Sequence, residues 1–152
     1  MKHTLAKRLC LAAAALLLVG AFAFALAACN EKGGNTEEVT VSLILGDADA
    51  VSVTTDAPFL YDLLKEYCEE NGLALEGSTS ATGFYATRIG DLAEDAAAGE
   101  YIMFYHDIDD ITLYTPGYDL ERDGKTYFSA SVGVSSLPLR DGATYLVTVM
   151  SF

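Results

Sequence analysis

Apolar and polar side chains alternate over residues 39–45, with Val39, Val41, Leu43 and Leu45 on one side and Thr40 and Ser42 on the other. A period of two predicts a half-buried strand. Gly46-Asp-Ala-Asp-Ala50 is rich in turn formers, and Val51-Ser-Val53 predicts a short returning strand. The period then changes. Leu60, Leu63, Leu64, Tyr67 and Cys68 stand at i, i+3, i+4, i+7 and i+8, one apolar stripe of a helix, while Lys65, Glu66, Glu69 and Glu70 lie off it. Asp56 is the expected N-cap, with Pro58 in the first turn, and Asn71-Gly72 is the expected left-handed stop. On the stripe, Cys68 reads as a small buried hydrophobe; the neighbouring His or cation that a reactive thiol needs is missing.

Residues 84–89, 101–106, 126–134 and 143–152 predict four further strands. In the third, Phe128, Ala130, Val132 and Val134 share a face; in the last, Tyr145, Val147 and Val149 do. Asp123-Gly124 and Asp141-Gly142 are turn signals just ahead of these two. The order is β-β-α followed by about four strands. It predicts an α+β, β-grasp-like fold with one helix packed on a mixed or antiparallel sheet.

The first 28 residues read differently. A basic head (Lys2, Lys7, Arg8) precedes an uncharged run from Leu9 to Ala28. That is the form of a secretory signal, and its length would also suit a single membrane anchor. Leu26-Ala27-Ala28-Cys29 resembles the bacterial lipobox. The resemblance implies cleavage before Cys29 and a diacylglyceryl group on its thiol. Residues 1–28 are then the signal peptide, and residues 29–38 the lipidated cysteine and a flexible polar tether. Residues 39–152 are the folded domain. Of three cysteines only Cys68 stays free in the mature chain. An internal disulfide is therefore excluded by count, and so is a zinc site built from four cysteines or from two cysteines and two histidines.

Charge narrows the function. After the leader, six basic side chains face 22 acidic ones, a formal balance of −16. That opposes nucleic-acid binding, which neutralises phosphates with cations, and opposes a basic membrane-lying face. Three features remain as candidate chemistry. His106-Asp-Ile-Asp-Asp110 offers His106, Asp107, Asp109 and Asp110 as ligands for a divalent cation, or is a solvated acidic loop. Asp119-Leu-Glu-Arg-Asp-Gly124 echoes the start of a calcium loop, but its last ligand position falls on Ala130, and a hairpin turn explains it better. Nine Tyr with no Trp offer recognition surface, with Tyr101, Tyr105, Tyr114 and Tyr118 as candidate ligand contacts; core packing is the competing reading of each. His106 is the only His after the leader, and neither a nucleophile elbow nor a phosphate-cradling Gly loop occurs, so no enzyme is expected.

Four segments, in order, resemble the transcobalamin-like C-terminal domain family, which includes bacterial surface lipoproteins. They are Pro58-Phe-Leu-Tyr-Asp-Leu-Leu-Lys65, Gly83-Phe-Tyr-Ala-Thr-Arg-Ile-Gly90, Tyr101-Ile-Met-Phe-Tyr105, and Gly133-Val-Ser-Ser-Leu-Pro-Leu-Arg-Asp-Gly-Ala-Thr-Tyr145. The resemblance runs over residues 39–152. Ile102 stands where the family usually has Trp. Asp107-Ile-Asp-Asp110, with an insertion reaching about Lys125, replaces its usual Asn-Gly turn. In the animal vitamin carriers of the family this domain closes over cobalamin beside a large helical domain, which these 152 residues do not include.

The resemblance implies a lipid-anchored binding module in the bacterial cell envelope, at the outer face of the cytoplasmic membrane. Its implied task is capture of a small ligand such as cobalamin or another corrinoid for uptake. The alternatives are a surface-protein or matrix interaction module and an acidic module for a divalent cation. Function is expected on the face made by strand 101–106 and insertion 107–125, where aromatics and acids concentrate on a loop.

Overall fold

The computed structural model describes residues 37–152. The expected leader, the expected lipidation site at Cys29 and most of the expected tether lie outside the described residues. Strand β1 (Val39–Leu45) buries Val41 and Leu43 almost completely on the core side. Strand β2 (Val51–Thr55) returns antiparallel to it, with Val41 opposite Val53.

Helix α1 (Leu60–Asn71) carries the expected stripe: Leu60, Leu63, Leu64 and Cys68 are buried, and Tyr67 packs partly buried against them. Its start differs from expectation. Asp56 is not the cap. Phe59 holds the N-cap position in an extended conformation with no side-chain bond, and Pro58 precedes the helix. The first amides are satisfied by backbone from far along the chain instead. Leu60 N–H donates to Leu137 O at 2.9 Å, and Tyr61 N–H donates to Val134 O at 3.1 Å. A helix start docked on another segment has its orphan donors filled by that segment and needs no capping side chain. The stop is as expected: Gly72 is left-handed at φ 63°, and Leu73 N–H closes on Cys68 O at 2.8 Å.

Seven strands follow the helix, not four. Strands β3 (Leu75–Ser80), β4 (Gly83–Ile89) and β5 (Leu92–Ala93) form a small antiparallel sheet. Strands β6 (Glu100–His106), β7 (Leu120–Arg122), β8 (Lys125–Ser129) and β9 (Thr144–Ser151) complete a six-stranded sheet of order β2-β1-β9-β6-β8-β7. Only β1 and β9 are parallel, so the sheet is mixed. The expected strand over 126–134 stops at Ser129. Beyond it Val134 reaches the core from a loop whose carbonyl serves the helix start. Asp123 and Gly124 both have positive φ, 53° and 74°, the two-residue turn that matches strand twist in a hairpin.

The α+β class is therefore observed, with one helix on a mixed sheet among the described residues. The main core lies between α1 and the inner face of β1, β6 and β9. A second apolar cluster joins Ile44, Tyr105, Tyr127 and Leu146, with Met103, Leu120 and Met150 packed on it. In a flat sheet, four strand steps would put β7 roughly 19 Å from β1. Yet Arg122 on β7 donates to Gly46 O at the end of β1, at 2.6 Å. The β7–β8 hairpin is thus curled back over the outer face, and its Leu120 and Tyr127 close the second cluster.

Candidate functional site

The structure does not bring the expected cation ligands together. Alternation along β6 turns His106 into the core, where it is fully buried. Its Nε2–H donates to Leu113 O at 3.0 Å, and its Nδ1 accepts from Ile108 N–H at 3.2 Å, so both ring nitrogens are occupied. Asp107 pairs with Lys125 at 2.6 Å and accepts from Thr144 N–H at 2.8 Å. Burial opposes its ionisation, but the bonds from Lys125 and Thr144 outweigh that and hold its carboxyl below the usual range. Asp110 accepts from the hydroxyl and amide of Thr112 and pairs with Arg140 at 2.7 Å, which also lowers its carboxyl. Asp109 is exposed. Among the described residues no three His, Cys, Asp or Glu side chains converge as a cation site.

The four tyrosines are also dispersed. Tyr105 is 3% exposed within the second cluster, and burial pushes its phenol up. Tyr101 is half-buried near Phe152. Tyr114 stacks on Phe128, with centroids 4.5 Å apart and planes 20° from parallel. Only Tyr118 is largely exposed. The insertion is more structural than its composition implies: Ile108 and Leu113 are buried in the main core.

Among the described residues, two of the clefts form where the sequence pattern offered no signal. One, of about 210 Å³, lies between β4 and β6 and is lined by Phe84, Tyr85, Ile102, Phe104, Ala130 and Val132 among others. The segments 83–90 and 101–105 thus face each other across it. Ser135 Oγ accepts from Phe84 N–H at 2.9 Å and fixes β4 against the 133–137 loop, while the Phe84 ring lies 4.6 Å from that of Tyr61. Tyr85 is half exposed at the mouth; its hydroxyl donates to Glu94, and that bond pushes its phenol up. The other cleft, about 420 Å³, opens at the β1–β2 turn.

No family model matches the chain, and no curated protein does. Solved structures do. A protein from Ruminococcus gnavus ATCC 29149, provisionally described as metal-binding, is 18% identical with a TM-score of 0.46, over 76% of this chain and 98% of that one. Haptocorrin in complex with Cbi is 15% identical with a TM-score of 0.58, over 82% of this chain. The chain shares its fold with part of haptocorrin. It spans 29% of that protein's length. At this identity the likeness is one of fold, and it agrees with the transcobalamin-like fold expected from the four segments.

Proposed function

We propose that this protein is a lipid-anchored binding module of the bacterial cell envelope, a member of the transcobalamin-like group. It captures a small ligand, a corrinoid first among candidates, at the outer face of the cytoplasmic membrane. It acts by binding and not by catalysis. The observation that carries this reading is the apolar cleft between β4 and β6, lined by both strand segments that resemble the family. Sites that enclose a drug-sized ligand run from about 300 to 1,000 Å³. A cleft of about 210 Å³ instead grips one edge of a larger molecule and leaves the rest open. Haptocorrin, solved with Cbi, supports testing corrinoids first. The Leu26-Ala27-Ala28-Cys29 sequence supports the anchor.

The test is a titration of the full-length protein, in a neutral detergent, with cobalamin and with cobinamide. Retention of the coloured ligand by ultrafiltration and its visible absorption are followed. Saturable retention is expected, and Tyr85→Ala should weaken it severalfold with an unchanged melting midpoint. No retention of either corrinoid would end the corrinoid reading. A protein-interaction role is the second reading, favoured by Ile111 and Tyr118, which stand 62% and 57% exposed on the insertion. Ile111→Ser with Tyr118→Ser would then reduce partner capture and leave corrinoid retention untouched.

A further inference from the structure

The larger cleft shares no lining residue with the β4–β6 cleft. It opens where the β1–β2 turn meets the loop after α1 and the turn between β4 and β5. Its volume of about 420 Å³ suits a whole small molecule. The floor is apolar, built from Leu43, Leu45, Tyr67, Ile89 and Leu92. Val51 and Leu73 stand in its wall at 42% and 38% exposure, although both are large apolar side chains. Covering them removes apolar surface from water, which favours an apolar occupant.

The charged side chains that line the rim have one sign. Asp47, Asp49 and Asp91 line the cleft, all three are exposed, and no Lys, Arg or His does so. None of the three carboxylates takes part in an ion pair among the described residues. The nearby guanidiniums are engaged elsewhere: Arg122 donates to Gly46 O and Ala48 O and pairs with Asp123 at 3.6 Å, and Arg88 donates to Gly90 O. The rim loop is also held in place. Gly46 is left-handed at φ +60°, and a Cβ there would stand 2.9 Å from Leu92 Cδ2. Together with the Arg122 bonds, this close approach presets the loop that carries Asp47 and Asp49.

We propose that this cleft binds a small organic cation, an amine carried on a compact apolar body. The body covers Val51, Leu73 and the floor while the ammonium meets the rim carboxylates. An anion of the same shape meets three like charges, and a neutral isostere gains the floor alone. This proposal extends beyond the binding role assigned to the β4–β6 cleft and does not depend on it.

The test uses the full-length protein in a neutral detergent, titrated calorimetrically with 2-phenylethylamine, 2-phenylethanol and 3-phenylpropanoate. The amine should bind about tenfold tighter than the alcohol, the carboxylate should not bind, and added salt should narrow the gap. Asp47→Asn with Asp49→Asn should bring the amine most of the way down to the affinity of the alcohol, Asp91 alone remaining. Leu73→Lys, at an exposed position that tolerates it, should abolish amine binding with little change in melting midpoint. Asp119→Asn, an exposed acid outside the cleft, should change nothing. Equal binding of amine and alcohol, no amine binding up to about 10 mM, or full binding by the double variant would each overturn the proposal. So would stabilisation by calcium with none by the amine, which would make the acids a metal site.

Discussion

The Arg122 guanidinium donates to the Gly46 carbonyl at 2.6 Å across 76 residues of chain, and reaches Ala48 O at 3.5 Å. This bond ties the β7–β8 hairpin to the end of β1 and closes the second apolar cluster over Ile44 and Leu146. Removing it leaves a carbonyl unpaired beneath the hairpin. Arg122→Ala should lower stability to urea by about 1–3 kcal/mol, and Arg122→Lys, which keeps one donor, should recover part of the loss. A midpoint unmoved by Arg122→Ala would mean that Leu120 and Tyr127 hold the hairpin alone.

Leu64 is 1% exposed and sits mid-stripe on α1, against the strands of the main core. Leu64→Ala removes three heavy atoms and leaves a cavity that the surrounding strands close only in part. A loss of about 2–5 kcal/mol in chemical denaturation is expected. A change within about 0.5 kcal/mol, the range of ordinary surface substitutions, would contradict the packing described.

His106 bridges β6 to the insertion through both ring nitrogens. His106→Ala orphans the Ile108 amide, leaves the Leu113 carbonyl to Ser131 N–H alone and opens a void, a loss of about 2–4 kcal/mol. Because neither nitrogen is spare, calcium, manganese and zinc should leave the melting midpoint of the wild-type protein in place through this residue. A manganese-induced rise abolished by Asp107→Ala would reverse the account of this cluster.

How much of this was legible follows from where each signal is stored. The α1 stripe and its Gly72 stop are local, so periodicity revealed them. The Asp123-Gly124 turn is local too. The helix start is not: its amide partners are Val134 and Leu137, more than seventy residues downstream, so a local rule chose Asp56. Strand β3 reads Leu-Glu-Gly-Ser-Thr-Ser and is exposed along nearly its whole length; it forms because β4 pairs with it, and no apolar alternation announces it. Ile108 and Leu113 sit among acids, which hid their role as core residues. Both clefts are assembled from turns and strands distant in sequence, so only the topology creates them. The chemistry of the candidate site residues is legible within one segment, whereas the internal partners that most of them have come from the fold.

The proposed lipid anchor is testable apart from the folded domain. Leu26-Ala27-Ala28-Cys29 places small residues before a cysteine that ends an uncharged run. Cys29→Ser removes the only thiol that the lipobox resemblance would acylate. Metabolic labelling with a fatty-acid analogue should mark the wild-type protein and not the variant. The variant should appear unprocessed or leave the membrane fraction. Unchanged labelling of Cys29→Ser would rule the lipobox out.

Tyr145 provides a pH-dependent test of the core. Its ring is fully buried; its hydroxyl donates to Pro138 O at 2.7 Å and accepts from Arg140 N–H at 3.0 Å. Burial pushes the phenol up from 10.0 to about 12, against the Arg140 amide bond, which favours the phenolate, and with a smaller contribution from Asp107. A group whose folded pKa lies above its unfolded value adds stability that is fully present below the unfolded value. That stability is lost as pH rises through the folded one. The window here is pH 10 to about 12. A shift of this size corresponds to roughly 2–3 kcal/mol. At neutral pH, Tyr145→Phe loses both hydrogen bonds and should be less stable by about 1–2 kcal/mol. It has no phenol to ionise, however, so the gap between the two proteins should shrink as pH climbs through that window. Tyr85 and Tyr105, also raised, titrate in both proteins and cancel in the difference. Urea midpoints of the pair at neutral pH and at several values between pH 10 and 12 measure it. A gap that stays constant across the series would mean that Tyr145 does not hold its proton through this network.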